Sequence, residues 1–488
     1  MRAAVQRLPM LTRILAGGLA LTERMAAWVL PEAASRRVLP MLDRLRGIVS
    51  GELDTARAQR MALVVFATRV LGAALAYVMQ VVLARLMGGH EYGIYAVVWT
   101  LVVILGIFTP LGFSSSVLRL IPEYRARGEQ GRLAALLIGS RAAGGLAATA
   151  VALAGIAVVV LAGERISSHY VLPLVLGAVC LPMFTIGSIQ DGIARAHDWT
   201  LTAMLPTFIW RPLAILAGMA AAVAAGVPAT ASSAVIVTIV ATWTVTLLQG
   251  LALARMLAPQ RLARPPREAW TIGEWLRLSV PILLVEGFFQ LITSADVVMV
   301  SFWCPPDQVA IYFAASKTPA LAHFVYFAVR SATAHRYSRL YHAGEHAELA
   351  RLVDESARWT FWPTLLLAGL LAAVGPLLLA LFGDGFTSGY PVILVLLAGV
   401  LARAAVGPVD ALLTMADQQK ACAGVYAAAF AVNIGLNIVL IPLLGILGAA
   451  VATAGAMVFE AAALAWQARR RLGIDPLVWR SNTGRAQG

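Results

Sequence analysis

The sequence predicts an all-α polytopic membrane protein of about twelve transmembrane helices, built as two six-helix lobes. Three observations predict it. Of 488 residues, 60% are hydrophobic and only 13% are charged, with a mean hydropathy of +0.79. A soluble domain of this length would need far more charge to cover its surface. Apolar runs of about 20 residues, the length that crosses a bilayer as a helix, recur along most of the chain. Finally, one spacing returns twice: Tyr95 and Tyr312 are 217 residues apart (312 − 95), and so are Tyr124 and Tyr341 (341 − 124). A fixed offset recovered at two places is the mark of a duplicated unit.

Residues 1–60 form a basic, patchily apolar leader with ten arginines from Arg2 to Arg60. Leu11, Ile14, Leu15, Leu21, Met25 and Trp28 fall at roughly helical spacing, which suits a helix lying on a membrane surface. Arg13, Glu23 and Arg24 interrupt the first apolar stretch, so no cleavable signal peptide is expected. The N-lobe follows at 61–255 with spans at 61–84, 93–113, 132–161, 170–194, 201–225 and 229–254. A proline-containing cytosolic linker is expected at 256–275. The C-lobe occupies 276–470 with spans at 276–303, 309–334, 357–382, 390–414, 419–443 and 446–468, and a tail runs to residue 488. Six spans per copy is an even number, so both lobes enter the bilayer in the same direction. They are then related by a pseudo-two-fold axis along the membrane normal, with a cavity where they meet.

The positive charge follows this frame. Of the 38 lysines and arginines, ten precede Met61 and twenty lie in the longer loops and tail. Two lie on the short-loop side and six inside spans. Such a bias places both termini in the cytosol. It also accounts for the net charge of +13 without a nucleic-acid partner. Cys180, Cys304 and Cys422 lie in or beside apolar runs with no CxxC spacing, and read as small packing residues. The histidines and acids of 337–355 recur at helical spacing, as on a solvated face, and imply no metal. No GxxxxGK[ST] loop occurs, which removes ATP hydrolysis. The outer loops are short and carry no DxD, so neither a catalytic residue nor an enzymatic activity is assigned.

Four stretches carry a resemblance to a known family. They are LARLMGGHEYGIYA with LGFSSSVLRLIPEYRARGE; SVPILLVEGFFQLITSADVVMV with QVAIYFAASK; the loop and span 337–386 ending in LFGDGF; and NIGLNIVLIPLLGILGAAVATA. In this order, on a twelve-span frame, the chain resembles the polysaccharide and O-antigen flippases of the multidrug/oligosaccharidyl-lipid/polysaccharide exporter superfamily. The first motif fits a glycine cap at Gly88 and Gly89 and interfacial tyrosines at Tyr92 and Tyr95. In the last, Pro442 and Gly445 make a turn, and Gly448, Ala449, Ala450 and Ala452 let two helices approach closely. The resemblance implies a bacterial inner-membrane flippase that moves a polyprenyl-diphosphate-linked oligosaccharide outward by alternating access. It also implies membrane lipids, a polysaccharide polymerase and a chain-length regulator as partners. A multidrug/cation antiporter and a lipid II flippase are the nearest alternatives.

Ionisable residues at membrane depth are the candidate site, because a charge in hydrocarbon is costly and rarely idle. At about 1.5 Å per residue, Arg69 lies some 12 Å into its span and Arg211 and Glu286 about 15 Å, while Lys317 lies about 12 Å from the far end of its own. Arg403 is similarly deep. Arg69, Arg211, Lys317 and Arg403 are the candidate diphosphate and glycan ligands, since guanidinium meets phosphate oxygens with paired hydrogen bonds and ammonium adds a point charge. Glu286 and Asp296 are the candidates for coupling to H+ or Na+, and Asp296 matches an acidic position common in the resembled family. Each of these charges also has a structural reading, as half of an ion pair that fixes helix geometry.

Overall fold

The computed structural model describes residues 54–163, 167–260 and 265–480. Most of the expected leader, to residue 53, and the end of the tail, 481–488, lie outside the described residues. The chain divides into two compact units at Gly72 and Ala73.

Among the described residues every regular element is helical. These are α1 (Asp54–Phe108), α2 (Phe113–Ala126), α3 (Gln130–Ala162), α4 (Ser168–Ala196) and α5 (Thr200–Leu205). A π-helical turn, Pro206–Trp210, leads from α5 into α6 (Arg211–Ala224), followed by α7 (Ala231–Leu257). The second half holds α8 (Ile272–Trp303), α9 (Pro306–Ala320), α10 (His323–His342) and α11 (His346–Ala380). It ends with α12 (Tyr390–Ala404), α13 (Val409–Met415), α14 (Gln419–Leu444) and α15 (Ile446–Leu472).

Ten of the described stretches are long and apolar enough to cross a membrane. The difference from twelve has two local causes. The first two expected spans fall within one stretch, Ala67–Ala126, which turns at Gly88 (φ 76°, ψ 170°), a conformation open to glycine. The expected span 309–334 is divided between α9 and α10. Pro319 lacks an N–H, and the chain tightens there as Leu321 and Ala322 donate to the Thr318 and Pro319 carbonyls.

Two expectations from the sequence are corrected. The stretch read as a loop after residue 113 is α2, whose buried residues Phe113, Ser116, Val117, Leu120, Ile121 and Tyr124 recur at helical period. Tyr92 and Tyr95, expected to face the membrane–water interface, instead point into the protein, where both are fully buried. Tyr92 donates to Gln80 at 3.0 Å and packs against Phe313, Phe382 and Phe386. A phenol this enclosed needs a partner inside the protein, and Gln80 supplies it.

From Ala73 onward the closest helix neighbours form two sets. The first joins α3 to α4, α4 to α7, α2 to α4 and α6 to α7; the second joins α14 to α15, α12 to α15, α8 to α14, and α10 and α12 to α11. The sets meet directly where α2 faces α8, and α1 meets the second half of the chain at another place. Trp275 on α8 donates to Tyr124 on α2 at 2.9 Å, and Ser279 donates to Ser116 at 2.7 Å. At the other, His90 on α1 lies 3.4 Å from Asp307 on α9, again at an offset of 217. There Gly93 passes so close to α9 that a Cβ would sit 1.9 Å from the Pro306 carbonyl oxygen. The α14–α15 turn is equally tight: Gly445 has φ 58°, and a Cβ on Gly448 would meet the Leu440 oxygen at 2.1 Å. Small residues permit these backbone approaches, as expected for helices that associate in lipid.

Candidate functional site

The ionisable residues at membrane depth gather into separate constellations. The first lies among α4, the π turn, α6 and α7. Pro206 interrupts the helix and deprives the Thr202 carbonyl, four residues back, of its N–H partner. Gln249 on α7 replaces it, donating through Nε2 to the Thr202 oxygen at 3.0 Å. The backbone then widens, with the Arg211 N–H reaching back to the Pro206 carbonyl, a local π geometry often found where helices carry function.

This break opens a cavity of about 60 Å³ lined by Asp191, Thr207, Arg211, Thr242, Thr246 and Gln249, among others. At ~15 Å³ per water position, that is on the order of four waters. Asp191 accepts from Thr207 at 2.7 Å and from Gln249 at 2.7 Å, one donor on each carboxylate oxygen. The Arg211 guanidinium carbon stands 5.0 Å from the Phe184 ring centre and 5.9 Å from that of Trp99. These cation–π contacts hold the plane of the group without occupying its donors. Thr242 is fully buried, and its hydroxyl finds no nitrogen or oxygen partner among the described residues.

The second constellation joins α8, α9 and α15. Asp296 is buried and accepts from the Tyr312 hydroxyl, from Thr453 at 3.0 Å and from the Val297 N–H at 2.9 Å. Thr453 in turn accepts from Asn433 at 3.3 Å. Lys317 lies over the Phe313 ring at 4.2 Å and feels the Asp296 charge.

The third joins α10, α12, α13 and α15. Arg403 and Glu460, with side chains 4% and 0% exposed, approach to 3.2 Å. The contact is an ion pair by distance without hydrogen-bond alignment, since the guanidinium nitrogens and both carboxylate oxygens lack a directed partner. Phe289 and Tyr326 flank Arg403 at 5.0 and 4.8 Å. Beside it, Asp410 accepts from Tyr326 and pairs with Arg330 at 3.1 Å.

Two candidates stand apart. Glu286 is exposed on α8 and accepts from Ser115 on α2 at 2.6 Å. Arg69 belongs to the first compact unit, at an exposed position, and has an interaction partner. The structure therefore places Arg211 at a cavity, Lys317 over the Phe313 ring and Arg403 against Glu460; it does not assemble them into one cluster.

Asp191 is the residue that the sequence reading missed. It lies near the end of the expected span 170–194, whereas α4 continues to Ala196 and carries it into the cavity wall. Its neighbour Gln249 was equally silent. The readable signal was the pair Pro206 and Pro212 around Arg211, since prolines flanking a deep cation mark a place where backbone groups must be satisfied from another helix.

The fold has counterparts among membrane transporters. A multidrug-resistance MATE transporter of the MOP superfamily, in an inward-facing conformation, superposes with a TM-score of 0.69 at 11% identity, over 82% of this chain and 94% of that one. The lipid II flippase MurJ gives 0.66 at 13% identity, over 83% and 87%. A MOP transporter from Pyrococcus furiosus, whose binding pocket is described as of reversed polarity, gives 0.60 at 12%, over 85% and 95%. The fold is that of the MOP exporters. Within that class, the family model for polysaccharide biosynthesis proteins matches residues 59–334, more than half of the chain, and the chain belongs to that family. No curated protein matches the sequence.

Proposed function

We propose that the protein is a flippase that moves a polyprenyl-diphosphate-linked oligosaccharide from the inner to the outer leaflet of a bacterial cytoplasmic membrane. The observation that carries this reading is Arg211: a guanidinium at membrane depth, in a family of polysaccharide biosynthesis proteins, held between aromatic rings at a polar cavity. Among the described residues it makes no hydrogen bond, so its donors remain available to a phosphate oxygen. Lys317 on α9 is a second cation, apart from that cavity, that the head group would meet on another part of its path. Alternating access then requires the two halves of the chain to part at one contact while the other holds, either Tyr124–Trp275 or His90–Asp307. The lipid tail stays in the bilayer throughout. Asp296 is the coupling candidate for H+ or Na+, because its carboxylate ties α8 to α9 and α15 and a change in its charge alters all three contacts. Polymerase and chain-length regulator are the expected partners, and both termini face the cytosol.

The test is a chromosomal deletion complemented with wild type, Arg211→Ala or Lys317→Ala at matched expression. Polyprenyl-diphosphate glycan accumulates on the inner leaflet in the deletion and is cleared by wild type but not by the variants. Normal surface polysaccharide with altered drug susceptibility points instead to a multidrug antiporter. Accumulated lipid II points to the peptidoglycan precursor as cargo.

A further inference from the structure

We propose that the cavity at Arg211 is a proton-linked anion site: a phosphate-class anion binds Arg211 as Asp191 takes up a proton. The inference rests on the flippase reading above and adds its regulation. Asp191 and Arg211 line one small cavity as opposite charges. Each oxygen of Asp191 is held by a neutral donor, Gln249 on one side and Thr207 on the other. Arg211 instead rests on Trp99 and Phe184 and gives none of its donors to a described residue.

With Asp191 ionised, the two charges cancel and a multiply charged phosphate entering the cavity meets a carboxylate. With Asp191 protonated, the cavity is cationic and the repulsion is gone. The protonated form needs no rearrangement, because a threonine hydroxyl both donates and accepts. Thr207 turns from donor to acceptor, and the new carboxyl O–H points at it. The buried Thr242 also lines the cavity wall.

The charged groups acting on Asp191 among the described residues are Arg211 and Arg195. Arg195, one turn on along the same helix, spends its donors on backbone, giving Nε to the Asp191 carbonyl oxygen at 3.4 Å and Nη2 to the Ser114 carbonyl oxygen at 3.3 Å. The π turn and α7 present the neutral Thr207 and Gln249, and α2, α3 and α5 bring no charged group to bear on it. Arg211 is therefore the one cation facing Asp191 across the cavity, and each controls what the other binds. By linkage, anion binding raises proton occupancy at Asp191 as much as protonation raises anion affinity.

Binding of farnesyl diphosphate, inorganic pyrophosphate and uncharged farnesol to the purified full chain in lipid nanodiscs tests this, by calorimetry from pH 5.5 to 8. Asp191→Asn, which mimics the protonated carboxyl, supplies the intrinsic pH slope of the ligand. Relative to that variant, wild-type affinity for the diphosphates falls with rising pH, by up to about tenfold per unit for one linked proton. Arg211→Gln binds weakly at every pH. In wild type alone, runs in two buffers of different ionisation enthalpy reveal proton uptake on binding, whether or not the variants fold. Pyrophosphate binding as tightly as farnesyl diphosphate supports the anion site and assigns it to a free anion. Equal pH slopes in wild type and Asp191→Asn, or no proton uptake by wild type, overturn the linkage while leaving the diphosphate reading in place. Failure of wild type to bind any diphosphate overturns that reading itself.

Discussion

Arg211 with Asp191 and Arg403 with Glu460 are chemically the same pair, one guanidinium and one carboxylate in a membrane-spanning helix. Their surroundings differ. Glu460 is fully buried and lies 3.2 Å from Arg403, which two aromatic rings cover. Asp191 is half-buried, is satisfied by threonine and glutamine, and shares a cavity with Arg211. In the first pair each charge exists to neutralise the other. In the second, each charge is held by something else and so can respond to a third party. Depth in the membrane alone does not separate an anchor from a site; what holds the charge does.

Variants that remove one charge separate the two cases most sharply. Arg403→Ala strands Glu460 in an enclosed space, and such an unpaired charge costs about 3–5 kcal/mol. Little folded protein is expected in membranes, with a melting transition well below wild type. The double variant Arg403→Met with Glu460→Leu removes both charges at similar volume and is expected to recover the transition, while either single change is not. If Arg403→Ala melts like wild type, the contrast between the pairs is broken.

Arg211→Ala is expected to reverse the pattern. Folding survives, because Asp191 keeps its Thr207 and Gln249 bonds, while glycan transport falls at least about tenfold, as loss of a charge-assisted contact worth ~1.5–3 kcal/mol implies. Tyr312→Phe probes the intermediate case at Asp296. It removes one of three donors to a buried carboxylate, a loss of about 1.5–3 kcal/mol read as lowered thermal stability.

The smallest effect is expected outside the membrane, at Asp475 after α15. Burial works against its ionisation, but hydrogen bonds from Arg469, Arg480 and the Leu477 N–H outweigh it and hold its carboxyl below the usual value. A depressed pKa contributes stability above the unfolded value and loses it as pH falls through the folded one. Asp475→Asn is therefore expected to loosen residues 474–480 at neutral pH and to abolish the loosening of wild type in acid. Hydrogen exchange of that segment measures both.

Hydropathy and charge placement made the all-helical, multi-pass architecture readable, because every backbone group in hydrocarbon must be satisfied within its own helix. Gly88, Gly445 and Gly448 were readable for a similar reason: a turn or a close approach needs a residue without a Cβ. The break at Pro319 and the helical α2 were visible in principle, as a proline and as a 3.6-residue period, but the charges on the outer face of α2 resembled those of a loop. The burial of Tyr92 was not readable, since Phe313 and Phe382 come from far along the chain.

The sequence by itself determined which stretches are long and apolar enough to cross a membrane and which charges they carry, since length, period and hydropathy are local properties. Only the tertiary structure decided which polar and charged groups meet. Asp191 and Gln249 are 58 residues apart and Arg403 and Glu460 are 57 (460 − 403). Nothing in either separation distinguishes a cavity from a dry ion pair. That distinction depends on the helices between which each pair falls, and on whether Pro206 or Phe289 stands beside it.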